Sequence, residues 1–261
     1  MKFKIKLLAC VTAITLSQAA CNVIDSASLN QQAAQAYRQT VSQAQGERKV
    51  DTTSSTARRI QVVFQKMKPF ATAANQTGQV FNWEMTVIRS DELNAWAMPG
   101  GKMVFYTGMV EKLKLTDDEI AAVVGHEMTH ALLEHSRKEA NRNVGIQLGA
   151  QLGTALLAGA TGVSTDVVGT GVGLLTDLGL DKPFSRDAER EADLGGLKLM
   201  AQAGYNPEAA VSVWQKMNRE NDNNNALVKV LSTHLTNNDR IELIRHELPN
   251  VLPLYRQAKG K

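Results

Sequence analysis

Cysteine is almost absent: the 261 residues contain only two, Cys10 and Cys21. Cys10 sits inside a leader-like segment, so once that leader is removed no intrachain disulfide can form. Long hydrophobic runs are missing too. No stretch of about 20 apolar residues continues without Gly, Thr or Asp, and a membrane span is therefore not expected. Charge bias is also missing. There are 29 basic and 26 acidic residues, and three of the basic ones, Lys2, Lys4 and Lys6, fall in the leader, which has no acidic residue. The rest of the chain is balanced, which gives no case for a nucleic-acid partner. No internal repeat is found.

The leader has a basic start, an apolar stretch from Leu7 to Leu16, and the small residues Ser17, Ala19 and Ala20. It reads as an export signal rather than a spanning helix. Cys21 directly after Ala19-Ala20 suits a lipid-modified N-terminus. Gln18 stands where a lipobox usually carries Leu, and ordinary cleavage after Ala19 or Ala20 is the alternative. The expected location is a bacterial periplasm, with Cys21 as candidate lipid anchor to the outer membrane. The length is enough to bury a full core, and the simplest division is a signal (1–20), a tether or N-terminal helix (21–54), one domain (55–250) and a C-terminal tail (251–261).

The most informative stretch is His126-Glu127-Met128-Thr129-His130. Random placement produces this pattern in a chain of this composition with about one chance in 200. On a helix, positions i and i+4 share a face, so two imidazoles can reach one metal ion while Glu127 leans over its open position. Thr116-x-x-Glu119 is a capping box, Asp117 and Asp118 suit the positive end of a helix dipole, and Arg137 and Lys138 suit the far end. Ile120, Val123, Val124, Met128, Ala131 and Leu132 form an apolar stripe at helical spacing. His135, five residues beyond His130, is turned about 140° away on a continuing helix and reads as structural. The string His246-Glu247-Leu248-Pro249-Asn250 starts alike but has Asn in place of the second His. Pro249 is expected to end the helix there.

A catalytic zinc needs three protein ligands and an open site. The stretch Ser185-Arg186-Asp187-Ala188-Glu189-Arg190-Glu191-Ala192-Asp193 is the best source of the third. It begins a second helix running to about Ala203 and stopped by Gly204. Glu189 and Asp193 share a face. One could bind the metal while the other accepts the N–H of a ligating His. Glu191 points about 160° from that face and is expected to meet solvent.

These residues, with Asn94-Ala95-Trp96-Ala97-Met98-Pro99-Gly100-Gly101, carry a resemblance to the M48 peptidases, a family of zinc metallopeptidases. It covers roughly residues 55–250, and the small periplasmic members without transmembrane helices look closest in architecture. The resemblance implies a zincin-like (gluzincin-type) α+β fold, mostly helical, with a small sheet beside the zinc helix. It implies one Zn2+ per chain held by His126, His130 and Glu189, with Asp193 orienting a ligating His and Glu127 as the base. His234 is the candidate donor to the tetrahedral intermediate, with Arg240 as helper. A His-Pro pair with a downstream Arg stands there in the family, and this chain has Leu235 in place of the Pro.

Residues 82–106 read as the β region, with a hairpin over 94–106 closed by the Gly-rich turn. In the resembling peptidases an edge strand lies beside the zinc helix. Asn94, Ala95, Trp96, Ala97 and Met98 are thus the candidate substrate-binding edge for an extended peptide held through its main chain. Residues 56–74 read as an amphipathic helix with Ile60, Val63, Phe64 and Met67 on one face. Residues 144–180 read as a Gly-rich helical hairpin, with a lid or a membrane-facing surface as the alternatives to simple packing. Helices are expected from Asn206-Pro207 to about Arg219 and from about Asn238 to Leu248. The expected function is a zinc endopeptidase of the bacterial envelope acting on misfolded or misassembled envelope proteins, with unfolded or extended protein substrates as the expected partners. A chaperone-like binding role on the same scaffold is the alternative. The oligomeric state is not legible.

Overall fold

The structure, a computed structural model of the chain, describes residues 24–143, 184–222 and 238–260. The export signal, Cys21, the 144–180 segment and His234 lie outside the described residues. Seven helices and three strands are named here in chain order: α1 (Ser26–Gly46), α2 (Ser55–Ala74), β1 (Glu84–Ile88), β2 (Ala95–Met98), β3 (Lys102–Tyr106), α3 (Thr107–Leu113), α4 (Asp117–Leu132), α5 (Arg186–Gln202), α6 (Ala209–Asp222) and α7 (Asn238–Ala258). A further helical stretch covers 135–143. The architecture is mostly helical with one small sheet.

Helix α4 is the centre. Its start is fixed by the capping box: Thr116 Oγ1 accepts the Glu119 N–H at 3.2 Å, and Glu119 returns a carboxylate oxygen to the Thr116 N–H at 2.8 Å. Every residue from Glu119 to Ala131 is buried, a wider face than an apolar stripe requires. A helix buried on all sides must be packed on all sides, and α2, α5, α6 and β2 surround it. The tightest approach is to α5. A Cβ on Gly125 would stand 2.8 Å from the Gly196 carbonyl oxygen, and one on Gly196 would stand 2.8 Å from the His126 backbone nitrogen. Only glycine on both helices allows this separation, at a cost in helix propensity of about 1 kcal/mol each relative to Ala.

The sheet runs β1-β3-β2, with β1 parallel and β2 antiparallel to β3. The β2–β3 hairpin turns at Gly100 and Gly101, whose φ of +78° and +82° suits glycine. One face of the sheet joins the main core through Ala95, Met103 and Phe105. On the other, Trp96, Val104 and Ile88 pack with Tyr37 and Ala44 of α1, and the Tyr37 hydroxyl hydrogen-bonds Thr86 Oγ1 at 2.6 Å. Residues 26–46 are therefore a docked helix rather than a loose tether.

Two expectations are corrected. Helix α4 stops at Leu132 instead of ending near Arg137 and Lys138, because Glu134 takes a left-handed φ of +52°. At the other end, α7 continues through Pro249 and Pro253 to Ala258, so most of the expected tail at 251–261 is helix. Both prolines are exposed. Each removes a backbone donor on the solvent face, where water can satisfy the freed carbonyl. Buried Val251, with Leu248 and Leu254 against the core, holds the inner face.

Candidate metal centre

The close contact of α4 and α5 sets the site. His126 and His130 project from one face of α4, and Glu189, in the first turn of α5, meets them. Their Nε2 atoms are 3.1 Å apart, and Glu189 oxygens lie 3.5 Å from each. In a tetrahedral site with bonds of 2.0–2.1 Å, ligand atoms stand about 3.3 Å apart. The triangle formed by the three side chains has nearly that size, and all three are at least 97 % buried. This donor set, two imidazoles and a carboxylate converging on one point, fits a divalent cation.

The charges fit as well. Glu127, Glu189 and Asp193 are buried here against one buried guanidinium, that of Arg240. Among the described residues these four side chains formally sum to two negative charges, and a divalent cation between them would lower the cost of burying that charge. The imidazole of His126 responds to the neighbouring carboxylates. Burial works against its charge, but hydrogen bonds to Asp193 and Glu189 outweigh burial and raise its pKa to about 9. Burial would likewise raise the Asp193 carboxyl, and Arg240 holds it low.

Each imidazole is also held from behind. His126 Nδ1 lies 3.1 Å from Asp193 Oδ1. Asp193 is gripped by Arg240, whose Nε and Nη2 donate at 2.8 and 2.6 Å. Nη1 of the same guanidinium lies 2.9 Å from Glu189 Oε2, and its plane covers the Trp214 ring at 3.9 Å. Arg240 thus engages both Asp193, which backs His126, and Glu189. Burial lowers the pKa of His135. Its Nδ1 is 2.9 Å from His130 Nδ1 and its Nε2 is 3.0 Å from Glu191 Oε2. Phe184 stacks on the His130 ring at 4.2 Å. Glu127 is buried on α4 between the two histidines.

Of the candidate residues, the structure brings together His126, Glu127, His130, Glu189, Asp193 and Arg240. Asn94 immediately precedes β2, and Ala95, Trp96, Ala97 and Met98 form that strand, one edge of the sheet, beside α4. His135, Glu191 and Trp214 were missed. The turn at Leu133–Glu134 swings His135 back to His130, and no Gly, Pro or Asn marks that turn. Glu191 is half exposed, as expected, yet it reaches His135. The glycine contact did have a signal: Gly195-Gly196 inside a helix demands a packing reason.

The model of peptidase family M48 matches residues 54–248. The chain belongs to peptidase family M48. It is 33% identical over 192 residues to the mitochondrial metalloendopeptidase OMA1 of Arabidopsis thaliana, covering 73% of this chain and 37% of that one. It is 33% identical over 167 residues to the OMA1 of Schizosaccharomyces pombe, covering 64% of this chain and 47% of that one. It is 30% identical over 143 residues to the metalloprotease LoiP of Escherichia coli K12, covering 55% and 54%. The chain thus spans between a third and about half of the length of these relatives.

Proposed function

We propose that the protein is a zinc-dependent endopeptidase of the bacterial cell envelope that cuts misfolded or misassembled proteins. The observation that carries this reading is the convergence of His126, His130 and Glu189 next to the buried carboxylate of Glu127. His126, His130 and Glu189 would hold the cation. Zinc bound there supplies Lewis acidity, acidifying a water and polarising a scissile carbonyl. Glu127 takes the proton from the attacking water and passes it to the leaving amine. Asp193, gripped by Arg240, keeps the His126 ring in place. An extended substrate adds to the edge of β2 through its main chain, which gives affinity with little sequence preference.

The envelope location is supported by the export-signal pattern. It is also supported by similarity to a β-barrel assembly-enhancing protease of Escherichia coli O157:H7, 24% identical over 181 residues that cover 66% of this chain and 36% of that one, since bacterial transmembrane β-barrels sit in the outer membrane. No helix among the described residues is long and apolar enough to cross a membrane, and in this reading Cys21 carries the lipid anchor. The test is incubation of zinc-loaded protein with unfolded casein. Cleavage is expected, with loss on chelation and in Glu127→Gln. Intact casein under all conditions, or a Glu127→Gln variant with full biological activity, favours a binding or chaperone-like role instead.

A further inference from the structure

The two histidines on α4 are backed differently: His126 by a carboxylate, His130 by another imidazole. Glu191 decides how the protons lie along the second chain. A carboxylate accepts only, so a neutral His135 facing Glu191 Oε2 at 3.0 Å carries its proton on Nε2. His135 Nδ1 is then a lone pair. It stands 2.9 Å from His130 Nδ1, which must carry the proton and donate it. His130 Nε2 is left with its own lone pair turned towards His126 Nε2 and Glu189. With the His135 proton on Nδ1 instead, a bare nitrogen would face the carboxylate and His130 would be driven to the tautomer that cannot ligate.

We propose that Glu191 and His135 form a relay that positions His130, fixing its tautomer and ring for a divalent cation. The proposal rests on the reading of His126, His130 and Glu189 as the ligands. His135 is a positioning residue and touches no reacting group. The fold builds the relay deliberately. The left-handed Glu134 returns His135 to the ring it follows by five positions. Phe184 stacks on His130 at 4.2 Å and lies 6.1 Å from the His135 ring, closing the open side. His135 is 3 % exposed, whereas the Glu191 side chain is 53 % exposed. The distal ligand is thus tied to a carboxylate at the surface, and the proximal one to a carboxylate in the core. An orienting partner of this kind is worth about 10–100-fold in metal affinity.

Nitrogen-15 NMR of the histidine rings in the zinc-loaded full chain tests the proton order directly. The expected result is a proton on Nδ1 of His130 and on Nε2 of His135. A His135 protonated on Nδ1, or on both nitrogens, overturns the relay, and this arm needs no variant. Chelator competition gives the second arm. His135→Phe should weaken zinc binding about 10–100-fold, and His135→Gln, whose side-chain carbonyl can accept the His130 proton, should recover most of it. Loss of zinc in His130→Ala alongside parental affinity in a folded His135→Phe sinks the relay alone. Parental affinity in both His126→Ala and His130→Ala sinks the ligand reading beneath it.

Discussion

A Cβ on Gly196 would stand 2.8 Å from the backbone nitrogen of His126. The glycine therefore decides how near α5 comes to α4, and so whether Glu189 reaches the two imidazoles. The added methyl would meet backbone, which cannot turn aside as a side chain can.

Gly196→Ala is expected to destabilise the protein by about 1–3 kcal/mol, overpacking outweighing the gain in helix propensity. It should also weaken metal binding, because the ligand triangle opens. Urea unfolding and chelator competition measure the two effects. Gly46→Ala, at a site with nothing within 4 Å of the new atom, is the control and should be neutral or slightly stabilising.

Arg240 is 6 % exposed and grips two buried carboxylates, Asp193 and Glu189. Removing one partner of a buried ionic cluster strands the others, at a cost of about 3–5 kcal/mol. Arg240→Met should lose that much stability in the metal-free protein. It should lose less in the loaded protein, where the cation compensates the carboxylates. Equal losses in the two states, by denaturant unfolding, would contradict the charge account of the cage.

The face shared by His126 and His130 is legible because it is local. His126, Glu127 and His130 lie on one uninterrupted helix, and helical periodicity alone puts both rings on one face. Glu189 and Asp193 were readable for the same reason, as i and i+4 on a well-capped helix. The rest depends on tertiary contacts that no spacing encodes. The reversal at Glu134 uses an ordinary residue in a left-handed conformation, so His135 was placed on the wrong side of a helix that had already ended. Pro249 looked like a terminator, but α7 presents both prolines to water and keeps its core face intact. The task of Arg240 follows only once α7 is known to pack across α5.

Acid stability should show the signature of Asp51. Burial opposes its charge, but the Ser54 hydroxyl, the N–H groups of Ser54 and Thr53, and Arg89 bring its pKa down from 3.8 to about 2. A carboxylate depressed by folding adds stability that is complete above its unfolded value and disappears as pH falls through the folded one. Solvent around the exposed Arg89 screens part of it. Asp51→Asn should therefore cost about 1 kcal/mol at neutral pH. The difference from the parent should close between pH 4 and pH 2. A deficit that persists unchanged at pH 2 would show that Asp51 acts through packing rather than charge.

Metal content measures the central claim most directly. Elemental analysis of purified, never-chelated protein should find close to one zinc per chain in the parent and in Glu127→Gln, since the proposed base is not a ligand. His130→Ala and Glu189→Ala should fall well below that. No metal in the parent, or full loading in His130→Ala, would contradict the account.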